Sequence, residues 1–215
     1  MDHIVPKPVW QNENVYIIGG GTSLKYFPWQ ILKDHKTIGC NDAYKLGMSI
    51  CKVCVFGDAK WYSTHKHDLI KFNGDVYCAE PELDKTSIPW VNKLKRYATG
   101  LQTDGVGWNF NTGAVAINLA ILFGAKRIFL LGFDMFRGKD SNWHPNELDK
   151  NPDEVYLKFI EGFNFLCSDW KKKFPDVEII NVTDDSALEC FPKVGLEEHF
   201  DGEYSDVLPN RNQVA

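Results

Sequence analysis

Three glycines and two hydroxyl residues, Gly19-Gly20-Gly21-Thr22-Ser23, break directly out of the apolar run Val15–Ile18. A buried strand that stops at such a turn and restarts as a helix leaves backbone N–H groups converging at the helix N-terminus, an end carrying about half a positive charge. An anion such as phosphate is what that end favours, and glycine is needed where side chains would keep the ligand's oxygens off the backbone. A plain tight turn has the same composition, so this stretch alone leaves both readings open. The other groups able to do chemistry also follow apolar runs: Asn41-Asp42, Asp58, Asn111-Thr112-Gly113 and Asp134. His144, in Asn142-Trp143-His144-Pro145, is a loop imidazole of the kind that serves as a general base.

The elements that must hold these residues alternate strand and helix. Strands are expected at Val15–Ile18, Lys36–Cys40, Val53–Phe56, Val76–Ala79, Ala125–Asp134 and Val177–Val182. Helices are expected from Ser23 (disturbed by Pro28), over about Ala59 to Lys71, over Ala114–Phe123 and from the start signal Asn151-Pro152-Asp153-Glu154. In that last helix Val155, Phe159, Phe163, Leu166, Trp170 and Phe174 recur every three or four residues, as a core-facing stripe does. Asp58 suits a helix N-cap as well as a ligand contact, and Asn111 or Thr112 caps the third helix. Gly132-Phe133-Asp134 closes a buried strand, and Thr183-Asp184-Asp185-Ser186 forms a further edge loop.

Alternation of this kind predicts an α/β fold: a doubly wound, mostly parallel sheet with helices on both faces, in a single domain. Residues 1–13 read as a polar lead-in, 14–200 as the domain, and 201–215 as a flexible tail, with fraying from about Phe200. Parallel topology brings the polar strand ends to one sheet edge. Residues 80–110, rich in Trp, Gly and Asn with a short strand at Lys95–Tyr97, read either as a lid or acceptor-side wall or as an outer cover on the core. His65 and His67, two apart in Ser-Thr-His-Lys-His-Asp, read as solvated surface.

Of 215 residues 44% are hydrophobic, enough for a sizeable core. The net charge of −5, without a basic stripe, argues against general nucleic-acid binding though not against a nucleotide in a pocket. No apolar run approaches the roughly 18 residues of a membrane span, and no secretory signal is visible at the N-terminus. Six cysteines, Cys51-Lys52-Val53-Cys54 among them, read as reduced core residues of a cytoplasmic chain. The dinucleotide fingerprint expects a third glycine at position 24, where Leu24 stands.

Taken together, Ile17-Ile18-Gly19-Gly20-Gly21-Thr22-Ser23-Leu24, Cys40-Asn41-Asp42, Phe56-Gly57-Asp58, Asn111-Thr112-Gly113 and Gly132-Phe133-Asp134 resemble, in order, motifs of a Rossmann-like superfamily. It includes bacterial CMP-sialic-acid-dependent sialyltransferases, motility-associated flagellin glycosyltransferases and archaeal hydroxymethyl-dihydropterin pyrophosphokinases. The chain is also similar to short phage and prophage proteins, which implies a phage-infected or lysogenic bacterial host. In the sialyltransferases a Gly-Asn-Gly-Pro-Ser-Leu turn contacts the donor nucleotide; here Gly20 replaces Asn and Thr22 replaces Pro. Asn41, Asn111-Thr112-Gly113 and Gly132-Phe133-Asp134 match further motifs, while Asp58 stands for an asparagine. Phe136 replaces the tyrosine that helps the departing phosphate, and His144 matches the catalytic histidine by region.

The resemblance implies an inverting glycosyltransferase with a nucleotide-sugar donor of CMP type and a glycan or other hydroxyl acceptor. His144 and Asp58 are the catalytic candidates. Gly19, Gly20, Gly21, Thr22, Ser23, Asn41, Asp42, Asn111, Thr112, Gly113 and Asp134 are the nucleotide-binding ones. Two alternatives remain: a non-catalytic nucleotide-sequestering protein, and a pyrophosphokinase-like enzyme in which Asp58 and Asp134 hold Mg²⁺. A homo-oligomer is compatible with all three.

Overall fold

Short runs of consecutive apolar residues form strands here because parallel sheets are covered on both faces. Asn14–Ile18 is buried beyond its first residue, and Val53–Phe56 is buried throughout. The structure is a computed structural model describing residues 3–137, 142–144 and 153–201. Its strands are β1 (Asn14–Ile18), β2 (Lys36–Cys40), β3 (Val53–Phe56), β4 (Asp75–Cys78), β5 (Asn92–Lys93), β6 (Arg96–Tyr97), β7 (Val106–Gly107), β8 (Arg127–Leu131) and β9 (Glu178–Asn181). Seven of them form one sheet in the order β5-β4-β3-β2-β1-β8-β9, every pair parallel, and β6 pairs with β7 apart from it. The doubly wound fold expected from the sequence is observed.

Strand period divides the core into two layers. Val15, Ile17, Ile38, Val53, Val55, Ile128, Leu130 and Ile179 face α2 (Thr112–Leu122) and α3 (Asp153–Lys173). Tyr16, Ile18, Phe129, Leu131, Cys54 and Phe56 face the other way, toward α1 (Ala59–Leu69), α4 (Leu196–His199) and the short turns between strands. Helix α2 is apolar all round and is buried accordingly. Its one interior amide, Asn118, accepts from the Gln102 and Gly107 N–H groups and donates to the Gln102 carbonyl. The 80–110 segment is thereby pinned over the core.

Several expectations need correction. No α-helix follows Ser23; the chain makes two 3₁₀ turns, Thr22–Leu24 and Trp29–Leu32. Between them Pro28 offers no N–H and disfavours helical backbone at Phe27, while Leu24 and Phe27 are drawn into the core. Phe200 is not frayed: it is buried against Tyr16 and Phe27, with ring centroids 5.7 Å away in both cases. The lead-in is docked too, with Ile4 bridging Leu94 and Trp10 on Phe123 at 4.8 Å. The start signal at Asn151-Pro152, and the tail beyond Asp201, lie outside the described residues. No helix among the described residues is long and apolar enough to cross a membrane. All six cysteines are free, and burial raises the Cys51 thiol to about 12, as inert core thiols require.

His199 gives this layer a pH dependence. Its Nε2 lies 3.0 Å from the Tyr16 hydroxyl and its ring 4.4 Å from Phe129. Burial, then the charge of His35, lower its pKa below the ordinary 6.5. The folded state therefore prefers the neutral ring. Its contribution is complete above about pH 6.5 and is lost as the pH falls through the lowered value. Melting temperature followed from pH 7.5 down to 5 should decline more steeply in the native chain than in a His199→Gln variant; parallel curves would remove His199 from the effect.

Candidate active site

Strand order reverses between β1 and β8: the chain leaves β1 toward β2 on one side, and leaves β8 toward β9 on the other. Open α/β sheets bind ligands outside the strand C-termini at such a point. Pairing of Ile18 with Leu131 sets the two exits side by side, and the Gly19 and Gly21 N–H groups donate to the Leu131 and Gly132 carbonyls. A cleft of about 430 Å³ opens there, within the range of small-molecule sites.

Ten of the residues singled out from sequence line it: Gly19, Gly20, Gly21, Asn41, Asp58, Asn111, Thr112, Gly113, Asp134 and His144. Thr22, Ser23 and Asp42 do not. The Asp134 carboxylate folds back under the turn. It accepts from Ser23 Oγ at 2.6 Å, from the Ser23 N–H at 2.9 Å and from Thr22 Oγ1 at 3.3 Å. The anion that satisfies Ser23 is thus the protein's own. Gly21 must be glycine, since an added Cβ would stand 2.1 Å from Asp134 Oδ1.

The helix ends facing the cleft are those of α1 and α2. Asn111 caps α2, accepting from the Ala114 N–H at 2.8 Å, and the Thr112 and Gly113 ends of the helix form the cleft wall. Asp58 caps α1 by accepting from the Trp61 N–H at 2.7 Å, so its two expected roles, cap and cleft residue, coincide. Asn41 holds a left-handed backbone, φ 51°, and its Oδ1 is buried with no hydrogen-bond partner among the described residues. Asn41 is also one of the residues lining the cleft, and a buried oxygen left without a donor is uncommon enough to need a reason.

His144 approaches from the segment after β8. Trp143 anchors it: its N–H donates to the Gly20 carbonyl at 3.0 Å, its Nε1–H to the Gly19 carbonyl at 2.8 Å, and its ring lies on Trp29. Behind His144 sits Asp42, 1% exposed and not among the residues lining the cleft. Its Oδ1 accepts from Trp61 Nε1 at 2.6 Å and lies 3.3 Å from His65 Nε2. Its Oδ2 accepts from Lys45 Nζ at 2.6 Å and lies 3.7 Å from His144 Nδ1. Burial pushes the Asp42 pKa up, but hydrogen bonds from Lys45 and Trp61 and the charges of His144 and His65 outweigh it and leave it below the usual carboxylate value. His65 is therefore not surface: its ring stacks on Trp61 one helical turn earlier at 4.5 Å, and only His67 is exposed.

The 80–110 segment does supply wall as well as cover: of its aromatics Trp90, Tyr97 and Trp108, the expected wall candidates, Trp108 lines the cleft and the other two do not. Phe110, Phe136 after β8, and Tyr156 and Phe159 at the start of α3 also line it, and sequence reasoning did not assign them to a wall. Phe110 and Phe136 are exposed there. Phe159 is thus a wall residue of the apolar stripe, while Phe163 and Leu166 are its buried members. Left-handed backbone at Phe110 and Met135 (φ 63° and 56°) falls on the same rim, and at Asn109 (φ 45°), buried, next to Phe110 in the chain. Strained non-glycine residues of this kind persist where the surroundings over-determine them, often at functional sites.

The two carboxylates considered for Mg²⁺ are both engaged within the protein. Asp134 is engaged by three donors and Asp58 by its cap. Among the described residues no group of three or more His, Cys, Asp or Glu side chains stands close enough to hold a metal ion.

Comparison with solved structures places this architecture. The sialyltransferase CstII from Campylobacter jejuni, in complex with the substrate analogue cytidine-5'-monophosphate, matches with a TM-score of 0.55 and 17% identity over 86% of both chains. The monofunctional α-2,3-sialyltransferase Cst-I from the same organism matches with a TM-score of 0.55 and 19% identity, covering 89% of this chain and 82% of that one. At these identities the likeness is one of fold. No protein-family model matches the sequence, and no curated protein matches it significantly.

Proposed function

We propose that the chain is a nucleotide-sugar-dependent glycosyltransferase of sialyltransferase-like fold, with its donor's nucleotide in the β1/β8 cleft. The observation that carries this reading is the coincidence, at the strand-order switch, of the glycine turn, the α2 N-terminus and the buried Asn41 oxygen. The donor phosphate lies against Thr112–Gly113 at the α2 N-terminus, where helix-end amides favour negative charge, with Gly20 across the cleft; the Gly19 and Gly21 N–H groups are already paired with the Leu131 and Gly132 carbonyls. Asn41 meets the nucleoside's hydroxyl or amine hydrogens. The aromatic wall of Trp108, Phe110 and Phe136 supplies apolar faces for base or sugar. Solved structures with the same fold, described as sialyltransferases with CMP bound, support a cytidine nucleotide as the first ligand to test.

In the transfer step His144 takes the proton of an acceptor hydroxyl. The oxygen's electron pair forms the new bond to the anomeric carbon, on the face opposite the leaving group, with inversion. The bond from that carbon to the phosphate oxygen breaks, and its pair leaves on the nucleotide phosphate. Positive ends of helix dipoles at the cleft wall stabilise that charge as it develops. Asp58, exposed and fixed as the α1 cap, faces the acceptor side. Asp134 acts in this scheme by holding the turn through Thr22 and Ser23. The acceptor is a glycan or another hydroxyl compound in the same bacterial or phage setting.

A thermal-shift screen of CMP, CDP, UDP, GDP, ATP and pterins, each with and without Mg²⁺, tests the reading. A ligand held at 100 times its Kd adds about 2.7 kcal/mol to native stability. CMP is expected to raise the melting point without Mg²⁺, and CMP-sugar incubated with a glycan acceptor to yield free CMP. A shift only with ATP and Mg²⁺ would favour the pyrophosphokinase alternative. A shift with CMP but no release would leave a sequestering protein, and no shift with any nucleotide overturns the proposal.

A further inference from the structure

We propose that Asp42 is the positioning residue of His144: its carboxylate holds the proton on Nδ1, so that Nε2 presents its lone pair to the cleft. This rests on the reading of His144 as the proton acceptor in glycosyl transfer. When Nε2 takes the acceptor's proton, the O–H bond breaks, an N–H bond forms, and the imidazolium gains a carboxylate partner across the ring.

Four observations lead to it. Asp42 is 1% exposed yet carries a carboxylate, a costly group to bury unless its lone pairs are filled. Its oxygens face four nitrogen groups from three places in the chain: Lys45 on its own turn, Trp61 and His65 on α1, and His144 after β8. About four lone-pair sites are what a carboxylate offers; hydrogen bonds from Lys45 and Trp61 fix the group, His65 stands at 3.3 Å, and one side is left toward His144. Trp61 and His144 both line the cleft while Asp42 does not, placing the carboxylate on the far side of the ring from a substrate.

The 3.7 Å gap from Asp42 Oδ2 to His144 Nδ1 exceeds a hydrogen bond by several tenths of an ångström. Catalytic contacts of this kind are often long before substrate binds and tighten in the complex. Held by Trp143 on the Gly19 and Gly20 carbonyls, His144 is coupled to the turn that stands across the cleft from donor phosphate, so donor binding and base alignment share one support. A purely structural Asp42 would need only Lys45 and Trp61 to close its own turn against α1; the presence of His144 on the remaining side is what that account leaves over.

The test uses the full chain with ¹⁵N-labelled histidine, reading the His144 tautomer by long-range ¹H–¹⁵N correlation before and after CMP is added. The proposal expects Nδ1–H with an unprotonated Nε2 at neutral pH. It expects Asp42→Asn to shift the population toward Nε2–H and to lower kcat about 10²–10⁴-fold, the contribution of a general base whose proton is then on the wrong nitrogen, with donor KM little changed. In a His144→Ala background Asp42→Asn should lower kcat no further. An Nε2–H tautomer in the unsubstituted chain overturns the proposal, whether or not Asp42→Asn folds. So does an Asp42→Asn effect on kcat that persists without His144. The tautomer readout is independent of turnover: Nδ1–H in the unsubstituted chain, with no glycosyl transfer detected, would retain the Asp42–His144 pair and reject the transferase reading.

Discussion

Replacing His144 by alanine should lower turnover by about 10²–10⁴-fold, the usual contribution of a general base, while CMP binds as tightly as before. The two halves of that expectation come from separate parts of the cleft. Phosphate contacts are assigned to the α2 N-terminus with Gly20 across from it, which alanine at 144 leaves untouched, and the ring that faces the acceptor is what disappears. His144 is half-buried and held through Trp143, whose bonds to the Gly19 and Gly20 carbonyls use backbone and indole nitrogens of residue 143 alone. The truncated side chain should therefore leave the loop in place. Steady-state rates with a CMP-sugar donor, beside calorimetric titration of CMP, separate the two terms. Equal turnover removes His144 from the chemistry. A parallel loss of CMP affinity would instead make it a donor contact.

A second large effect is expected at Phe133. This side chain is 1% exposed and lies beneath the cleft floor. Its ring meets Phe163 of α3 at 5.8 Å in an edge arrangement. It also lies so close to the turn and to α2 that a Cβ on Gly19 or Gly113 would come within 3.1 or 2.8 Å of it. Its backbone is gripped as well, the N–H donating to Thr183 Oγ1 and the carbonyl accepting from Ser186 Oγ. The ring has little freedom to move, and the hole left by Phe133→Ala little means to collapse. Phe→Ala changes at such sites cost about 3–5 kcal/mol, which for a domain of this size lowers Tm by roughly 6–20 °C. Because Phe133 is wedged between the glycine turn and the α2 N-terminus, CMP affinity should fall along with stability, measured below the variant's own melting point. A variant that melts within 2–3 °C of the parent would show that the cleft floor repacks freely.

What sequence made legible follows from periodicity and local chemistry. Apolar runs with β-branched residues became the parallel strands, and the Asn111 and Asp58 caps formed where a side-chain oxygen three residues ahead of an amide puts them. Residues at strand ends converged because parallel connections leave them no other edge. What stayed hidden depends on pairings that leave no periodic trace. Ser23 and Asp134 stand 111 positions apart, and nothing in either neighbourhood announces that the carboxylate fills the turn that resembled a phosphate cradle.

Asp42 is the same case. Beside Asn41 at the end of β2 it resembles a ribose contact, and only the arrival of α1 and of His144 turns it into a buried anchor. His65 had a usable signal, the four-residue spacing from Trp61 that allows ring stacking on one helix face, but spacing to His67 drew attention instead. The left-handed backbone at Phe110 had none, because a phenylalanine carries no preference for that region.

Titrating CMP into the ¹⁵N-labelled chain and mapping amide shifts tests the central claim most directly. Saturable changes centred on Gly19–Gly21, Asn41 and Thr112–Gly113, spreading to His144, are the predicted result. Saturable changes confined to other surfaces, or none at millimolar CMP, would contradict it.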